Sequence, residues 1–339
     1  MKYSISIKNI MFKTGIMSLL QNAPLQNAAI LRYHAVTDAE NNYYSSPSIA
    51  VSPHDFEIQV KYFAQNCNVI SLDTLAECIL SKKKFPKKSI VMTFDDGYQD
   101  NYSAYQIMKK YKIQGTFYVA AGCLGQGETL WLFEVIFLIQ QTKKLVLYLD
   151  INNENLQFPL SSKSEKMYAM RKITEIIKSN NLETRENIRK QLRIKLNDVN
   201  DLNDKAKQVM LSWKQVKEMS DNGMTIGGHT MTHINLPNAD YEDAKREIYE
   251  CKSLIEEKTG KPVKHFSYPN GGNYDYYNDT IMQIIKQAGY LTSTTSNNGL
   301  VNMNSRLLEL SRIRITNNLS EIVYQTACEP FVKKMLRRD

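Results

Sequence analysis

The chain has 339 residues, of which 42% are hydrophobic and 23% are charged. This composition excludes a disordered chain, and the length allows one large α/β domain or two modest ones. The formal net charge of +8, from 43 basic and 35 acidic residues, favours an anionic partner such as a membrane surface or a phosphorylated lipid carrier. Because the lysines are dispersed and no nucleic-acid-binding motif is present, we expect no nucleic acid partner.

The first half of the chain alternates apolar strands with amphipathic helices, a pattern that predicts a parallel sheet with helical crossovers. We expect strands at 28–33, 89–94 and 115–121, and helices after Ser52-Pro53, near 73–80 and through Tyr105, Met108 and Tyr111. The lysine-rich segment 82–88 is predicted to be a solvated loop.

The composition changes between residues 126 and 210, which are rich in Asn, Lys and Glu with helical patterns at 131–141 and 163–195. We expect a helical insertion or subdomain there, acting as a lid or a docking surface. The α/β pattern resumes near Trp213, with strands beginning at Met224 and lying at 265–268, 290–295 and 310–315. A long helix after Asp240 is predicted to end at Gly260.

These elements divide the chain into five predicted parts and favour a barrel-like sheet with its active groups at the carboxyl ends of the strands. Residues 28–125 and 211–316 form the two parts of the barrel, and 126–210 form the insertion. Residues 1–27 form an N-terminal helical or membrane-surface segment, and 317–339 form a C-terminal helix and basic tail.

The cysteines and the chain ends indicate in which cellular compartment the protein is expected. An odd number of cysteines without paired spacing favours a reducing compartment: Cys67, Cys78, Cys123, Cys251 and Cys328. Polar residues interrupt every N-terminal stretch that resembles a signal peptide, so we expect a cytoplasmic protein. Residues 8–20 and 331–339 are basic and partly apolar; each either lies on the inner membrane face or packs on the domain.

Asp95 and Asp96 form the first group of residues suited to chemistry. Two adjacent carboxylates at a buried strand end are costly, because like charges repel and burial disfavours both. A divalent cation that binds one of them relieves this cost and leaves the other free as a base. The alternative is an ordinary Asp-Asp-Gly surface turn.

His229 and His233 form the second group, in the segment His229-Thr230-Met231-Thr232-His233. Four-residue spacing lets two imidazoles bind one ion, whether the segment is a helical turn or a compact loop. With one carboxylate they would make three protein ligands and leave a coordination position open, as in catalytic zinc sites. The alternative is a pair of core or capping histidines.

A third segment, residues 266–272, ends a strand with a rigid turn around Pro269 and Asn270. Such a turn either presents a backbone N–H group to an oxyanion or is a plain strand-ending loop.

The motifs TFDDGY (93–98), GGHTMTH (227–233) and YPNGG (268–272) resemble, in this order, those of the polysaccharide deacetylases, the NodB-homology carbohydrate esterases. LRYHAV (31–36) and the helix at 52–63 resemble members that act on exopolysaccharides and surface glycans. The resemblance covers roughly 28–125 and 211–316. It implies a distorted (β/α) barrel that hydrolyses the acetamido group of an N-acetylated sugar.

The resemblance also implies residue roles. Asp95 is the general base, Asp96, His229 and His233 bind the metal, for which Zn²⁺ fits best, and the backbone near Asn270 stabilises the oxyanion.

Three positions depart from the family pattern. Ser267 stands where an arginine usually orients the base, Asn270 replaces an aromatic residue, and Arg312 occupies the usual place of a histidine general acid. No Asp-rich motif with tryptophan occurs around 293–299.

His34 is our candidate for the missing general acid, because it ends the first strand and titrates near neutrality. The alternative is a structural histidine. His265 lies at the beginning of its strand, on the wrong end for catalysis, and is expected to be structural.

The predicted function is therefore metal-dependent removal of N-acetyl groups from a polysaccharide or a glycolipid precursor, with the basic termini suggesting a lipid-linked substrate. Two alternatives remain open. One is a glycan-binding protein that kept the fold and lost catalysis, and the other is an esterase or amidase for another acylated molecule.

Overall fold

Seven parallel strands close into a barrel in the computed structural model, which describes residues 5–17, 27–38, 42–125, 128–272 and 275–328. The described strands, in chain order, are β1 (Asn27–Tyr33), β2 (Ala35–Val36), β3 (Ala50–Val51), β4 (Asn68–Val69), β5 (Ser89–Phe94), β6 (Thr116–Val119), β7 (Val146–Ile151), β8 (Glu154–Pro159), β9 (Thr225–Gly228), β10 (His265–Ser267), β11 (Thr292–Asn298), β12 (Val301–Asn302) and β13 (Leu310–Arg314). The barrel follows the order β1-β5-β6-β9-β10-β11-β13.

The barrel closes because β1 pairs in parallel with two strands that are distant along the chain. Ala28 lies opposite Ser89 on β5, and Leu31 lies opposite Ile313 on β13. The predicted (β/α) barrel is confirmed.

Helices surround the barrel and cover its outer face. The described helices are α1 (Ile5–Lys13), α2 (Pro53–Asn66), α3 (Leu72–Leu80), α4 (Asp100–Lys110), α5 (Trp131–Gln141), α6 (Lys163–Ser179), α7 (Leu182–Lys195), α8 (Leu202–Val209), α9 (Trp213–Asp221), α10 (Tyr241–Thr259), α11 (Asp279–Gln287) and α12 (Leu319–Val323). Helix α2 begins as predicted, with Ser52 accepting a hydrogen bond from the Asp55 N–H at 3.0 Å. Helix α10 ends at Gly260, which adopts φ 72°.

The segment between β6 and β9 contains more than the helices that we expected. Strands β7 and β8 form an antiparallel hairpin whose turn residues, Asn152 and Asn153, have φ of 51° and 67°. Positive φ at two successive asparagines is the signature of a two-residue hairpin turn, so this turn could have been predicted. The hairpin is thus an addition to the helices that the sequence predicted for this segment, which lie at Trp131–Gln141, Lys163–Ser179 and Leu182–Lys195.

The helices and hairpin of this segment share an apolar cluster of their own. A buried ion pair joins α5 to α7, with Arg189 Nε 2.7 Å from Glu134 Oε2. Rigid packing of this kind gives the segment a fixed position from which side chains can reach the barrel.

The N-terminal helix α1 packs on α12. Lys8 Nζ lies 3.0 Å from a carboxylate oxygen of Glu321, while Ile5, Ile10 and Ile16 are exposed. Within the described residues, no helix combines the length and apolarity needed to cross a membrane. Residues 18–20 and the basic tail 331–339 lie outside the described residues.

Candidate metal and active site

The two adjacent carboxylates follow β5 at the carboxyl end of the barrel. The Asp95 N–H donates to the Tyr33 carbonyl at 3.0 Å, and Asp96 adopts φ 78°. Gly97 follows at φ 81°, where a Cβ atom would lie 3.1 Å from side-chain atoms of Val119 and Leu124. The turn therefore requires a glycine and holds both carboxylates, which are almost fully buried, at the strand end.

The two histidines lie on a compact loop after β9, and the glycines before them allow close packing. A Cβ atom on Gly227 would lie 2.5 Å from Tyr118, and one on Gly228 would lie 2.4 Å from the Tyr290 hydroxyl. His233 itself adopts φ 55°. Non-glycine residues rarely adopt positive φ, and such strain is typical of functional sites.

Asp96, His229 and His233 converge on one point. Asp96 Oδ1 lies 3.3 Å from His229 Nε2 and 3.2 Å from His233 Nε2, and one potential ligand atom from each residue lies within 4.8 Å of the others. Burial opposes ionisation of Asp96, but the two imidazoles hold its pKa well below the usual range.

The donor atoms fit a divalent cation. Asp96 Oδ1 is buried yet makes no aligned hydrogen bond to a described residue. His229 Nδ1 lies 2.7 Å from the Ser267 carbonyl, so this nitrogen carries the proton and leaves the Nε2 lone pair free to bind a metal. One carboxylate and two imidazoles are a donor set suited to zinc.

Residues of the 126–210 segment donate hydrogen bonds to the loop that carries the histidines. Trp131 Nε1 donates to the His233 carbonyl at 2.9 Å, and the buried Arg185 donates to both the carbonyl and the hydroxyl of Thr232 at 3.1 Å. From the opposite side, Glu247 accepts hydrogen bonds from the Thr232 N–H and hydroxyl at 2.8 and 2.6 Å. The sequence pattern gave no indication of these contacts.

Arg312 binds Asp95 through two parallel hydrogen bonds of 2.7 Å. The same guanidinium donates to the Thr295 carbonyl at 2.8 Å and to the Ser267 hydroxyl at 3.0 Å. Burial raises the pKa of Asp95, but Arg312 outweighs this effect and lowers it to about 2. The arginine absent from position 267 is thus replaced by Arg312, which contacts Ser267 and holds the proposed base.

His34 lies beside the carboxylates, with Nε2 3.7 Å from Asp95 Oδ2. Its carbonyl accepts a hydrogen bond of 2.7 Å from Asn101, which fixes its backbone. Burial lowers the pKa of His34 to about 4, although Asp96 and Asp95 oppose this shift. The imidazole is therefore neutral at pH 7.

The turn after β10 places Asn270 at the edge of the site, with φ 75°. Its carbonyl accepts a hydrogen bond from the Ser296 hydroxyl at 2.7 Å, whereas its N–H has no acceptor among the described residues. His265 lies at the opposite end of β10, where its Nδ1 is 2.8 Å from the Thr292 hydroxyl.

A cleft of about 1920 Å³ leads from solvent to Asp95, Asp96, His229 and His233. Its walls come from the barrel and from α5 and α6 of the 126–210 segment, and a cleft of this size admits an extended ligand.

The carboxyl end of the barrel carries three residues, Asp96, His229 and His233, that could hold a metal ion, and comparison with known proteins identifies the family. The family model for polysaccharide deacetylases matches residues 82–146 and 167–293, together more than half of the chain. The chain belongs to the polysaccharide deacetylases. The match includes much of 126–210, which we expected it to leave out, and omits the hairpin.

Several relatives and solved structures are similar to this chain. "Putative polysaccharide deacetylase YxkH" of Bacillus subtilis is 21% identical over 86% of this chain and 72% of its own length. The poly-beta-1,6-N-acetyl-D-glucosamine N-deacetylase of Staphylococcus aureus is 38% identical, but the alignment spans only 30% of this chain and 39% of that protein.

The deacetylase PplD of Streptococcus pyogenes, solved with acetate, has a TM-score of 0.58 at 23% identity, covering 89% of this chain and 98% of its own. IcaB from Ammonifex degensii has a TM-score of 0.55 at 17% identity, covering 89% and 97%. These structures share the fold.

Proposed function

We propose that this polysaccharide deacetylase is a metal-dependent hydrolase that removes N-acetyl groups from an N-acetylated glycan. The observation that carries the proposal is the convergence of His229 Nε2 and His233 Nε2 on Asp96 Oδ1, at 3.3 and 3.2 Å. These three residues would hold the cation, and zinc suits the donor set. When bound, the cation would polarise the acetyl carbonyl and a water molecule.

Asp95 is the proposed general base. It accepts a proton from the attacking water, whose oxygen forms a bond to the acetyl carbon. Arg312 keeps the carboxylate ionised and fixes its orientation. The Asn270 N–H is the proposed donor to the oxyanion, a role supported by the position of Asn270 in the lining of the cleft.

His34 is the proposed general acid. Because it is neutral at rest, it must receive a proton before it can donate one, and Asp95, at 3.7 Å, is the proposed source. The proton taken from water then passes through Asp95 and His34 to the departing nitrogen. The C–N bond breaks, and acetate and a free amine are released.

The substrate is proposed to be a surface polysaccharide or its glycolipid precursor. The staphylococcal relative, by its name, acts on poly-β-1,6-N-acetylglucosamine, and its alignment supports a β-1,6-linked oligomer as the first compound to test. Exposed Ile5, Ile10 and Ile16 support peripheral contact with a membrane, and we propose a cytoplasmic location at its inner face.

Acetate release from a β-1,6-linked N-acetylglucosamine oligomer, measured together with bound metal, tests the function. We expect Asp95→Asn to lower kcat by about 10³-fold or more and to retain the metal. Asp96→Asn should lose both metal and activity, while Asp221→Asn, a helix-end surface substitution, should lose neither.

A protein that binds the oligomer without releasing acetate would favour the non-catalytic glycan-binding alternative. Release of acyl groups only from esters or from non-sugar amides would favour the third alternative. Unchanged activity in Asp95→Asn would remove that residue from the mechanism.

A further inference from the structure

The cleft above the site is strongly cationic. Among the described residues that line it, three are acidic and eight are basic: Arg32, Lys143, Lys144, Lys163, Lys166, Arg171, Lys178 and Arg314. Two of the three acidic residues are the catalytic carboxylates, and the third, Glu175, pairs with Lys172 at 3.0 Å. Most of the positive charge on the walls is therefore not neutralised by the protein.

Lys178 lies near the C-terminal end of α6 and lines the same cleft as the catalytic groups. Its carbonyl accepts hydrogen bonds of 2.8 Å from the side chains of Asn235 and Asn238, which lie on the loop beyond His233. The side chain lines both the main cleft and the adjoining pocket beside His233. Its ammonium group makes no hydrogen bond or ion pair with a described residue, so the backbone is fixed and the charge remains available.

Arg32 approaches the same site from β1. Its guanidinium has no partner among the described residues, and its Nε atom is buried. The neighbouring strand places Arg314 directly opposite it, so two like charges lie side by side. Burial, together with Arg312, lowers the pKa of Arg32 to about 10, which leaves it cationic at neutral pH.

The charges of the site do not balance without a ligand. The Asp95 and Arg312 charges cancel, and the single negative charge of Asp96 faces the two cations Arg32 and Lys178. Both residues are partly buried, and a cation that is partly removed from water without a partner costs folding free energy, a cost typically retained where a ligand supplies the missing group.

We infer that Arg32 and Lys178 bind an anionic group of the substrate, so that the glycan carries phosphate or carboxylate close to the N-acetyl group that is removed. This inference rests on the proposed deacetylase function and specifies its substrate class as an anionic glycan. The segment 126–210 thereby contributes a specificity-determining residue, Lys178, in addition to its contacts with the metal-binding loop. Both residues are substrate-positioning groups, so their effect should appear in KM more than in kcat.

The experiment compares three N-acetylated oligosaccharides: a neutral β-1,6-linked tetrasaccharide, the same compound with a reducing-end diphosphate, and an oligomer in which N-acetylglucosamine alternates with uronate. The diphosphate represents a lipid-linked precursor and the uronate represents an anionic polymer. We expect kcat/KM to be about 10-fold higher for one of the anionic compounds than for the neutral one, with a preference that falls as salt rises from 50 to 500 mM.

Lys178→Met and Arg32→Met should each remove most of this preference by raising KM, and Lys178→Arg should restore it. Lys190→Met is the matched control, because it removes one exposed lysine charge from the same 126–210 segment at a position that does not line the cleft. It should retain the full preference. Melting temperatures of all variants check that the fold is intact.

Equal kcat/KM for neutral and anionic compounds in the wild type, or an unchanged preference in both Met variants, would overturn the inference while leaving the deacetylase function in place. If no compound releases acetate, calorimetric binding of the three compounds to Asp95→Asn tests the inference independently of catalysis. Tighter binding of an anionic compound that depends on Lys178 would support the inference, and equal binding would reject it.

Discussion

Arg312 on β13 and Asp95 after β5 form a bidentate ion pair between residues that are 217 positions apart in the chain. The pair is buried, and Arg312 also contacts Ser267, which occupies the position from which the family usually supplies the arginine. The guanidinium thus reaches the proposed base from a different strand. The absence of an arginine at position 267 therefore does not leave Asp95 without an arginine partner.

Removal of Arg312 should change both stability and the pH dependence of activity. In the folded protein the pKa of Asp95 is about 2, below its usual value. The pair therefore stabilises the fold above about pH 4, and this stabilisation is lost as the pH falls through about 2. In Arg312→Met, Asp95 is buried without its partner, so its pKa should rise and the unfolding free energy at pH 7 should fall by about 3 kcal/mol.

Denaturant unfolding and the pH profile of kcat/KM check this prediction. The acid limb of the profile should move to higher pH in Arg312→Met, and the stability deficit should shrink as the pH is lowered towards 4. Arg306→Met, which removes an exposed arginine, is the control. An acid limb that stays in place would show that Asp95 is not the group that titrates.

His34 should make the fold less stable in mild acid. Burial lowers its pKa in the folded protein to about 4, whereas an unfolded histidine titrates near 6.5. The unfolded chain therefore binds more protons between these values, and stability falls as the pH drops from about 6.5 to 4. For the metal-free protein, His34→Gln should remove roughly 2 kcal/mol of this loss between pH 7 and pH 5.

Urea unfolding at several pH values checks the His34 prediction, with His54→Gln as a control at an exposed position of α2. Equal pH dependence in His34→Gln and wild type would contradict it. In the active enzyme, His34→Gln should lower kcat by about 10²-fold or more without reducing bound metal.

Arg185 should influence metal affinity although it does not contact the metal-binding atoms. Its two hydrogen bonds to Thr232 fix the residue before His233. Loss of a group that orients a metal ligand typically weakens affinity by about 10–100-fold. We expect Arg185→Met to weaken zinc binding by this amount in a chelator competition, and Lys190→Met, an exposed position on the same helix, to leave it unchanged. Equal affinities would mean that the loop holds its shape without Arg185.

The exposed isoleucines of the N-terminal segment should determine membrane association. Replacement of Ile5 and Ile10 by serine should reduce co-sedimentation with anionic phospholipid vesicles and leave activity on a soluble oligosaccharide unchanged. Leu145→Ser, at an equally exposed position on the hairpin side, should have no effect on sedimentation. Wild-type protein that fails to sediment with vesicles would remove membrane contact from the proposal.

The sequence by itself determined the seven strands of the barrel, most of the helices and the groups at the strand ends. Period-two and helical patterns depend on residues that are close in the chain, and each strand or turn carries its own pattern. The Asp95-Asp96 turn and the histidine pair could be predicted in the same way, since each lies within seven residues. The Asn152-Asn153 turn carried a comparable local signature, which the helical interpretation of the segment overlooked.

Only the tertiary structure decided how distant residues combine. Barrel closure brings Arg312 to Asp95, and the packing of α5, α6 and α7 brings Trp131, Lys178 and Arg185 to the loop after β9. No local sequence pattern predicts such contacts, because they depend on the register of strands and the packing of helices that are tens to hundreds of residues apart. The chemistry of the candidate site could therefore be predicted from short motifs. The residues that orient the site's side chains and face its ligand could be identified only in the folded structure.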